Sequence, residues 1–142
     1  MTRYLGDGTT MDREQAWRAM ASAAGHWALR GYGQWVLELK ATGEPIGRSG
    51  LYFPLGWPDL EVGYVVAPEH QRRGYATEAA GAALRWAFDT VGAAKVISLI
   101  YPENLASIAV ARKLGGEPER LHRFANVEVL VFAYRSSSTS SR

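Results

Sequence analysis

One strand–helix–strand unit in the middle of the chain restricts the fold more than any other feature of the sequence. Residues 60–66 form an apolar strand that stops at Pro68, and residues 95–101 form a second, β-branched strand. Between them the apolar side chains of residues 75–91 recur at helical spacing until Gly92. A connection of this length joins parallel neighbours through a right-handed crossover. The sequence therefore predicts an α/β protein with an internal pair of parallel strands.

The segments on either side of this unit complete a mixed, mostly antiparallel sheet. The predicted elements are a helix at 11–30, strands at 34–40 and 46–53, a short helix at 105–114, and strands at 119–124 and 127–134. Thr9 or Thr10 would cap the first helix. No repeat or linker divides the chain, so we predict one domain over 1–135 and a disordered serine-rich tail at 136–142.

Composition excludes several classes of protein. The 142 residues contain no cysteine, which rules out disulfides, thiolate metal sites and a cysteine nucleophile. The three histidines, His26, His70 and His122, are not in metal-ligand spacing, so we predict no metal. A net charge of +2 that is scattered along the chain argues against nucleic-acid binding. The chain has neither a secretory signal nor a membrane-spanning apolar run, which predicts a cytoplasmic protein with no membrane contact.

The segment that enters the long helix has the features of an anion site. A helix N-terminus offers unpaired N–H groups and a partial positive charge. Gly74 and Ala76 keep side-chain bulk away from the backbone, and Arg72 and Arg73 add formal charge. These features are typical of a phosphate or pyrophosphate cradle. The alternative is an ordinary helix entry with solvated arginines. The segment matches neither a Walker loop nor a Rossmann fingerprint.

Two short blocks carry a family resemblance. The first is Gln71-x-x-Gly74-x-Ala76, and the second is Asn104-Leu105-Ala106-Ser107 with Lys113-Leu114-Gly115. In this order they resemble the acetyl-CoA signature of the GNAT acetyltransferase superfamily, and in particular the Rim-type branch that acetylates ribosomal-protein N-termini. The similarity runs from about residue 31 to residue 134.

The resemblance implies a fold and a cosubstrate site. In the GNAT fold, helices cover both faces of the sheet and two adjacent parallel strands splay apart. The pantetheine arm of acetyl-CoA lies in that gap and hydrogen-bonds the edge of the earlier strand, which is 64–67 in this chain. Backbone N–H groups of 72–77 would hold the pyrophosphate. The implied cofactor-binding residues are Val65, Val66, Gln71, Arg72, Arg73, Gly74, Tyr75, Ala76, Thr77, Asn104 and Ser107.

Glu61 is the candidate catalytic base. The resemblance implies that its carboxylate removes a proton from the incoming amine through a water molecule. A carboxylate on a central strand must meet water, a cation or a proton. The alternative role is therefore a structural salt bridge or a solvent-facing position at the strand end.

Ser107 is the second candidate catalytic residue, because the resemblance places it near the sulfur, where it could protonate the departing thiolate. Many family members use a tyrosine just after this helix, and none follows here. Tyr101 at the strand end stays an open alternative. Asn104 has a simpler role available as well, since an Asn-x-x-Ser pattern after a proline is typical of a helix N-cap.

The predicted reaction is direct acetyl transfer from acetyl-CoA to a primary amine, either a protein N-terminus or a small amine. The absence of cysteine excludes an acetyl-cysteine relay. The alternative is a catalytically silent module that binds CoA or a partner on the same scaffold. Family members usually begin with a strand and a helix ahead of the helix at 11–30. Two expectations therefore stay open: a truncated start with the first strand missing, or a homodimer whose partner covers the exposed edge.

Overall fold

The computed structural model describes residues 10–124 and 126–137. Within these ranges the chain forms three α-helices and six strands. They are α1 Arg13–Arg30, β1 Gln34–Glu38, β2 Pro45–Tyr52, β3 Glu61–Val66, α2 Tyr75–Trp86, β4 Lys95–Ile100, α3 Leu105–Lys113, β5 Glu117–Phe124 and β6 Val127–Arg135. Most of the predicted disordered tail, residues 138–142, lies outside the described residues.

The six strands form one sheet in the order β1-β2-β3-β4-β6-β5. Four neighbouring pairs are antiparallel, and β3 with β4 is the parallel pair. This confirms the predicted mixed α/β sheet and the crossover through α2. The predicted strand and helix bounds agree with the structure to within about two residues at most ends.

The start of α1 differs from the prediction. Asp12 caps the helix, since its carboxylate accepts from the N–H of Gln15 at 2.8 Å while the Gln15 side chain accepts from the N–H of Asp12 at 2.9 Å. Such a reciprocal capping box satisfies two helix-end donors at once, so the helix begins at Arg13 and not at Met11. Thr10 therefore lies outside the cap, and Thr9 lies outside the described residues.

The main core lies between α2, α3 and one face of the sheet. α2 contributes small residues, Ala80 and Ala83, that are fully buried. They allow the helix backbone to approach the sheet closely. A π-helical turn, Ala87–Val91, extends α2, and Gly92 ends it in the left-handed conformation at φ 81°. The sheet side of this cluster includes Leu51, Val62, Val96, Ile100, Phe132 and Tyr134.

The last turn of α1 anchors that helix to the sheet through His26. Its Nδ1 lies 2.9 Å from the carbonyl oxygen of Tyr32, and its Nε2 accepts from the N–H of Phe53 at 2.8 Å. Because a carbonyl only accepts, Nδ1 carries the proton and the ring is neutral in this arrangement. Sequence reasoning found no partner for His26, since these contacts join residues 6 and 27 positions apart.

We expect His26→Ala to lower the free energy of unfolding by about 2 kcal/mol, because it leaves a buried N–H and a carbonyl without a partner. Urea denaturation measures this effect. The matched control is Trp17→Ala on the exposed part of the same helix, which should change stability by no more than about 0.5 kcal/mol. Equal stability of the two variants would contradict the anchoring role.

Candidate functional site

β3 and β4 form a backbone ladder only where β3 begins. The parallel ladder consists of the pair Glu61 and Ile97, with the N–H of Ile97 donating to the carbonyl of Leu60 at 2.8 Å. Beyond this point the two strands of six residues form no further ladder pair. The predicted gap between two parallel neighbours is therefore present, with its closed end at Glu61.

Two side chains take over the backbone hydrogen bonds that the opening interrupts. The Ser98 hydroxyl donates to the carbonyl of Val62 at 3.0 Å, and it lies 3.1 Å from the Tyr134 hydroxyl. On the opposite face, the Glu61 carboxylate accepts from the N–H of Leu99. These contacts hold the two strands apart at a fixed distance without leaving buried polar groups unpaired. Sequence reasoning missed Ser98 and Tyr134, because an isolated serine in an apolar strand gives no signal.

Strand alternation decides which backbone groups face the opening. The N–H of Ala67 donates to Ile46 of β2 at 2.8 Å, so the alternate residues Val62, Tyr64 and Val66 direct their backbone groups toward β4. The Ser98 contact to Val62 agrees with this assignment. Of the two predicted positions, the backbone of Val66 borders the opening, whereas that of Val65 pairs with β2.

Gln71 lies at the open end of β3, where its side-chain amide donates to the carbonyl of Val66 at 2.9 Å. This contact ties the loop that follows β3 to the end of the strand. The contact thereby fixes the backbone at the open end of the strand gap. The rest of the Gln71 side chain is exposed. The sequence identified Gln71 through the family motif, but only the fold reveals this contact.

The loop continues into α2 with unusual backbone angles. Arg72 and Gly74 both have left-handed conformations, at φ 62° and φ 82°. Gly74 is the N-cap, and it offers no side-chain cap to the first-turn N–H groups of the helix. The arginines Arg72 and Arg73 are exposed beside them. The arrangement therefore has the donors and the positive charge that a pyrophosphate requires.

The Glu61 carboxylate is held by two hydrogen-bond donors, the indole of Trp57 and the N–H of Leu99. Trp57 Nε1 donates to its Oε2 at 2.5 Å, and the ion pairs among the described residues do not include Glu61. Burial raises the pKa of Glu61 to about 7, although the Trp57 and Leu99 hydrogen bonds and the charge of Arg48 act to lower it. The predicted alternative of a salt bridge does not match these contacts. A carboxyl with a pKa near 7 suits a base at neutral pH.

α3 starts on the far side of the opening. The Asn104 side chain accepts from the N–H of Ser107 at 3.2 Å, which confirms its predicted capping role. The Tyr64 hydroxyl, on β3, donates to the carbonyl of Ser107 at 2.9 Å. Burial raises the pKa of Tyr64, so this phenol stays protonated. Tyr64 thus links β3 to the first turn of α3 through the backbone carbonyl of Ser107.

Residues 10–124 and 126–137 contain neither a membrane-spanning helix nor a metal-ligand cluster. No helix in these ranges is long and apolar enough to cross a membrane. No group of three His, Asp or Glu side chains there comes together as a metal site would need.

Comparisons with known proteins agree with this geometry. The family described as Acetyltransferase (GNAT) domain matches residues 1–117. The uncharacterized Bacillus subtilis protein YkkB is 38% identical over 112 residues, which cover 75% of this chain and 64% of YkkB. The chain thus spans just under two thirds of that relative.

Solved structures share the fold. An acetyltransferase from Agrobacterium tumefaciens superposes with a TM-score of 0.83 at 34% identity, covering 92% of this chain and 77% of that one. The ribosomal-protein-S5-alanine acetyltransferase from Vibrio fischeri superposes with a TM-score of 0.73 over 93% of this chain and 79% of that one. At 15% identity, the second likeness concerns the fold alone. With the family match, the opened strand pair and the glycine-capped loop, the chain belongs to the GNAT acetyltransferase family.

Proposed function

We propose that this chain transfers the acetyl group of acetyl-CoA directly to a primary amine, with Glu61 as the general base. The observation that carries the proposal is the opening between β3 and β4, whose closed end holds a carboxyl group with a pKa of about 7. Acetyl-CoA, when bound, supplies the activated thioester. The chain must then orient the thioester, remove a proton from the amine and stabilise the developing negative charge.

Two groups of backbone donors and acceptors would hold the cosubstrate. The β4-facing groups of Tyr64 and the N–H of Val66 can pair with an extended amide chain as an added strand would. The first-turn N–H groups of α2 and the exposed arginines can bind the pyrophosphate. We propose the residues that the family resemblance implies as this set, namely Val65, Val66, Gln71, Arg72, Arg73, Gly74, Tyr75, Ala76, Thr77, Asn104 and Ser107. Val65 belongs to this set only through its place in β3, because its backbone groups pair with β2 and do not face the opening.

Three groups of the chain would carry out the chemical steps. Glu61 takes a proton from the amine through a water molecule, and the N–H of Val66 donates to the carbonyl oxygen as negative charge develops there. Ser107 is the proposed proton donor to the departing thiolate. A thiol has a pKa of about 8.5, so this last step needs little assistance.

The pKa of Glu61 also bears on the acceptor. An α-amine with a pKa of about 8 is roughly one tenth neutral at pH 7, whereas a lysine side chain at about 10.4 is far less than one hundredth neutral. A single base with a pKa near 7 is therefore better matched to a peptide N-terminus or a weakly basic small amine. We propose the Rim-type branch on this ground. The cytoplasm stays the predicted location. A homodimer stays the predicted assembly, and gel filtration can test it.

Thiol release from acetyl-CoA, measured with a panel of amines, tests the proposed activity. We expect release that depends on the added amine and yields the acetylated amine by mass spectrometry. Binding of acetyl-CoA without turnover across peptides, small amines and polyamines would instead support a silent binding module.

A further inference from the structure

The proposed reaction needs a site for the acceptor amine, and a pocket lined by Tyr52, the β2 ladder partner of Glu61, is a candidate for it. A pocket of about 430 Å³ lies between the C-terminal half of α1 and the segment that follows β2. Tyr52 lines it, and the same ring packs edge-on against Trp57 at 5.1 Å, which in turn donates to Glu61. The volume suits a small molecule or one amino-acid side chain. Two aromatic rings, Tyr52 and Trp57, therefore lie between this pocket and the candidate base.

The walls of this pocket are mostly apolar, with Ser22 and Arg30 as the exceptions. His26 stacks on Tyr52 with ring centroids 5.1 Å apart and an interplanar angle of 23°. Both ring nitrogens of His26 are already bonded to backbone groups, so the ring offers no polar atom to a ligand. Leu29 and Leu55, which also line the pocket, are 87% and 99% exposed to water. An apolar ligand would cover both leucines and gain the free energy of their burial.

The charge at the pocket is positive. Arg30 lines it, and its guanidinium lies 4.7 Å above the ring of Phe53. None of the described lining residues is acidic. A ligand with a second ammonium group in this pocket would meet the charge of Arg30 and no carboxylate among the lining residues. The pocket therefore disfavours polyamines through Arg30 and favours apolar groups through Leu29 and Leu55.

We propose that the acceptor is a primary amine with a single positive charge, and that its apolar, preferably aromatic, body binds in the pocket formed by α1 and the segment after β2. This inference rests on the proposed acetyl transfer and adds the acceptor class to it. An arylalkylamine and a peptide with a large apolar first residue share this chemistry. They differ in what extends beyond the pocket.

Specificity constants for four amines test the proposal. Phenethylamine, the amide of the dipeptide phenylalanyl-alanine, putrescine and spermidine are compared by thiol release. We expect the better aromatic substrate to exceed spermidine by about tenfold or more, as burial of an aromatic ring allows. The ratio between phenethylamine and the dipeptide tells a free amine from a peptide acceptor. Equal or better use of spermidine or putrescine overturns the proposal.

Variants of the rim give a second, independent test. The double variant Leu29→Asp with Leu55→Asp should reduce the preference for phenethylamine over spermidine by about tenfold. Leu121→Asp, an exposed leucine on β5, is the matched control and should leave the preference unchanged. An unchanged preference in the double variant would overturn the role of this pocket.

Calorimetric titration with CoA present separates this inference from the proposed activity. If no amine is acetylated, acetyl transfer fails as the function, but binding still decides the acceptor class. Phenethylamine that binds at least about tenfold more tightly than spermidine supports the pocket assignment. Tighter binding of spermidine, or no binding of phenethylamine, overturns it.

Discussion

Replacing Glu61 with glutamine should lower kcat/KM for the amine by about 100-fold or more, with little change in the KM for acetyl-CoA. General-base assistance contributes about 10²–10⁴ to a rate, and the glutamine amide keeps the size and the Trp57 contact but cannot accept a proton. Wild-type activity should rise with pH through about 7, where Glu61 loses its proton. The variant should lose this inflection. A variant with wild-type rates from about pH 6 to pH 9 would remove Glu61 from the mechanism.

The same substitution should stabilise the fold at high pH. The pKa of Glu61 is raised from 4.5 to about 7, so the folded state disfavours the ionised carboxylate. The contribution of Glu61 to wild-type stability is therefore greatest below about pH 4.5 and falls as the pH rises through about 7, by about 3 kcal/mol. Glutamine carries no charge to bury. Thermal unfolding should show equal stability of the two proteins near about pH 4, and a more stable variant near about pH 9.

Replacing Gly47 with alanine should impair both folding and acetyl-CoA binding. A Cβ at Gly47 would lie 2.1 Å from the carbonyl oxygen of Val65 and 3.0 Å from the Cα of Val66. Both neighbours are backbone atoms of β3, so the strand itself must move, and its free edge borders the opening. We expect a loss of about 2 to 3 kcal/mol in unfolding free energy and a KM for acetyl-CoA raised about tenfold.

Gly63→Ala is the matched control for this effect. It lies in the centre of β3, but its added Cβ would meet only the Gln34 side chain, at 3.5 Å. This is an ordinary van der Waals contact, so the control should unfold within about 1 kcal/mol of wild type. Urea denaturation and the acetyl-CoA dependence of thiol release measure both variants. Wild-type stability and KM in Gly47→Ala would show that β3 tolerates the displacement.

The candidate site was predictable in part. The family motifs pointed to Glu61, Gly74 and Asn104, and a strand pattern, a helix start and a capping pattern placed each of them on its element. The structure places Asn104 at the cap and Glu61 at the closed end of the strand gap. The assignment of these residues to catalysis and cosubstrate binding stays a prediction for the experiments above.

Other parts of the site depend on residues far apart in the chain. Ser98 and Val62 are 36 positions apart, and Tyr64 and Ser107 are 43. The need for glycine at position 47 follows only from the place of Val65 on the neighbouring strand. No periodicity or motif reports such contacts, because each partner alone is an ordinary residue of its element.

The sequence by itself determined the order of helices and strands, the parallel pair and the family motifs. These follow from periodicity, turn residues and chain connectivity, which act over short distances. Only the tertiary structure decided how far the two central strands open, which groups hold Glu61 and which residues line the pocket between α1 and the segment after β2. The physical reason is that burial and hydrogen bonding are properties of neighbours in space. The pKa of Glu61 is raised by the atoms that the fold packs around it, and Trp57, four residues away, faces the carboxylate because β3 and its preceding loop bring them together.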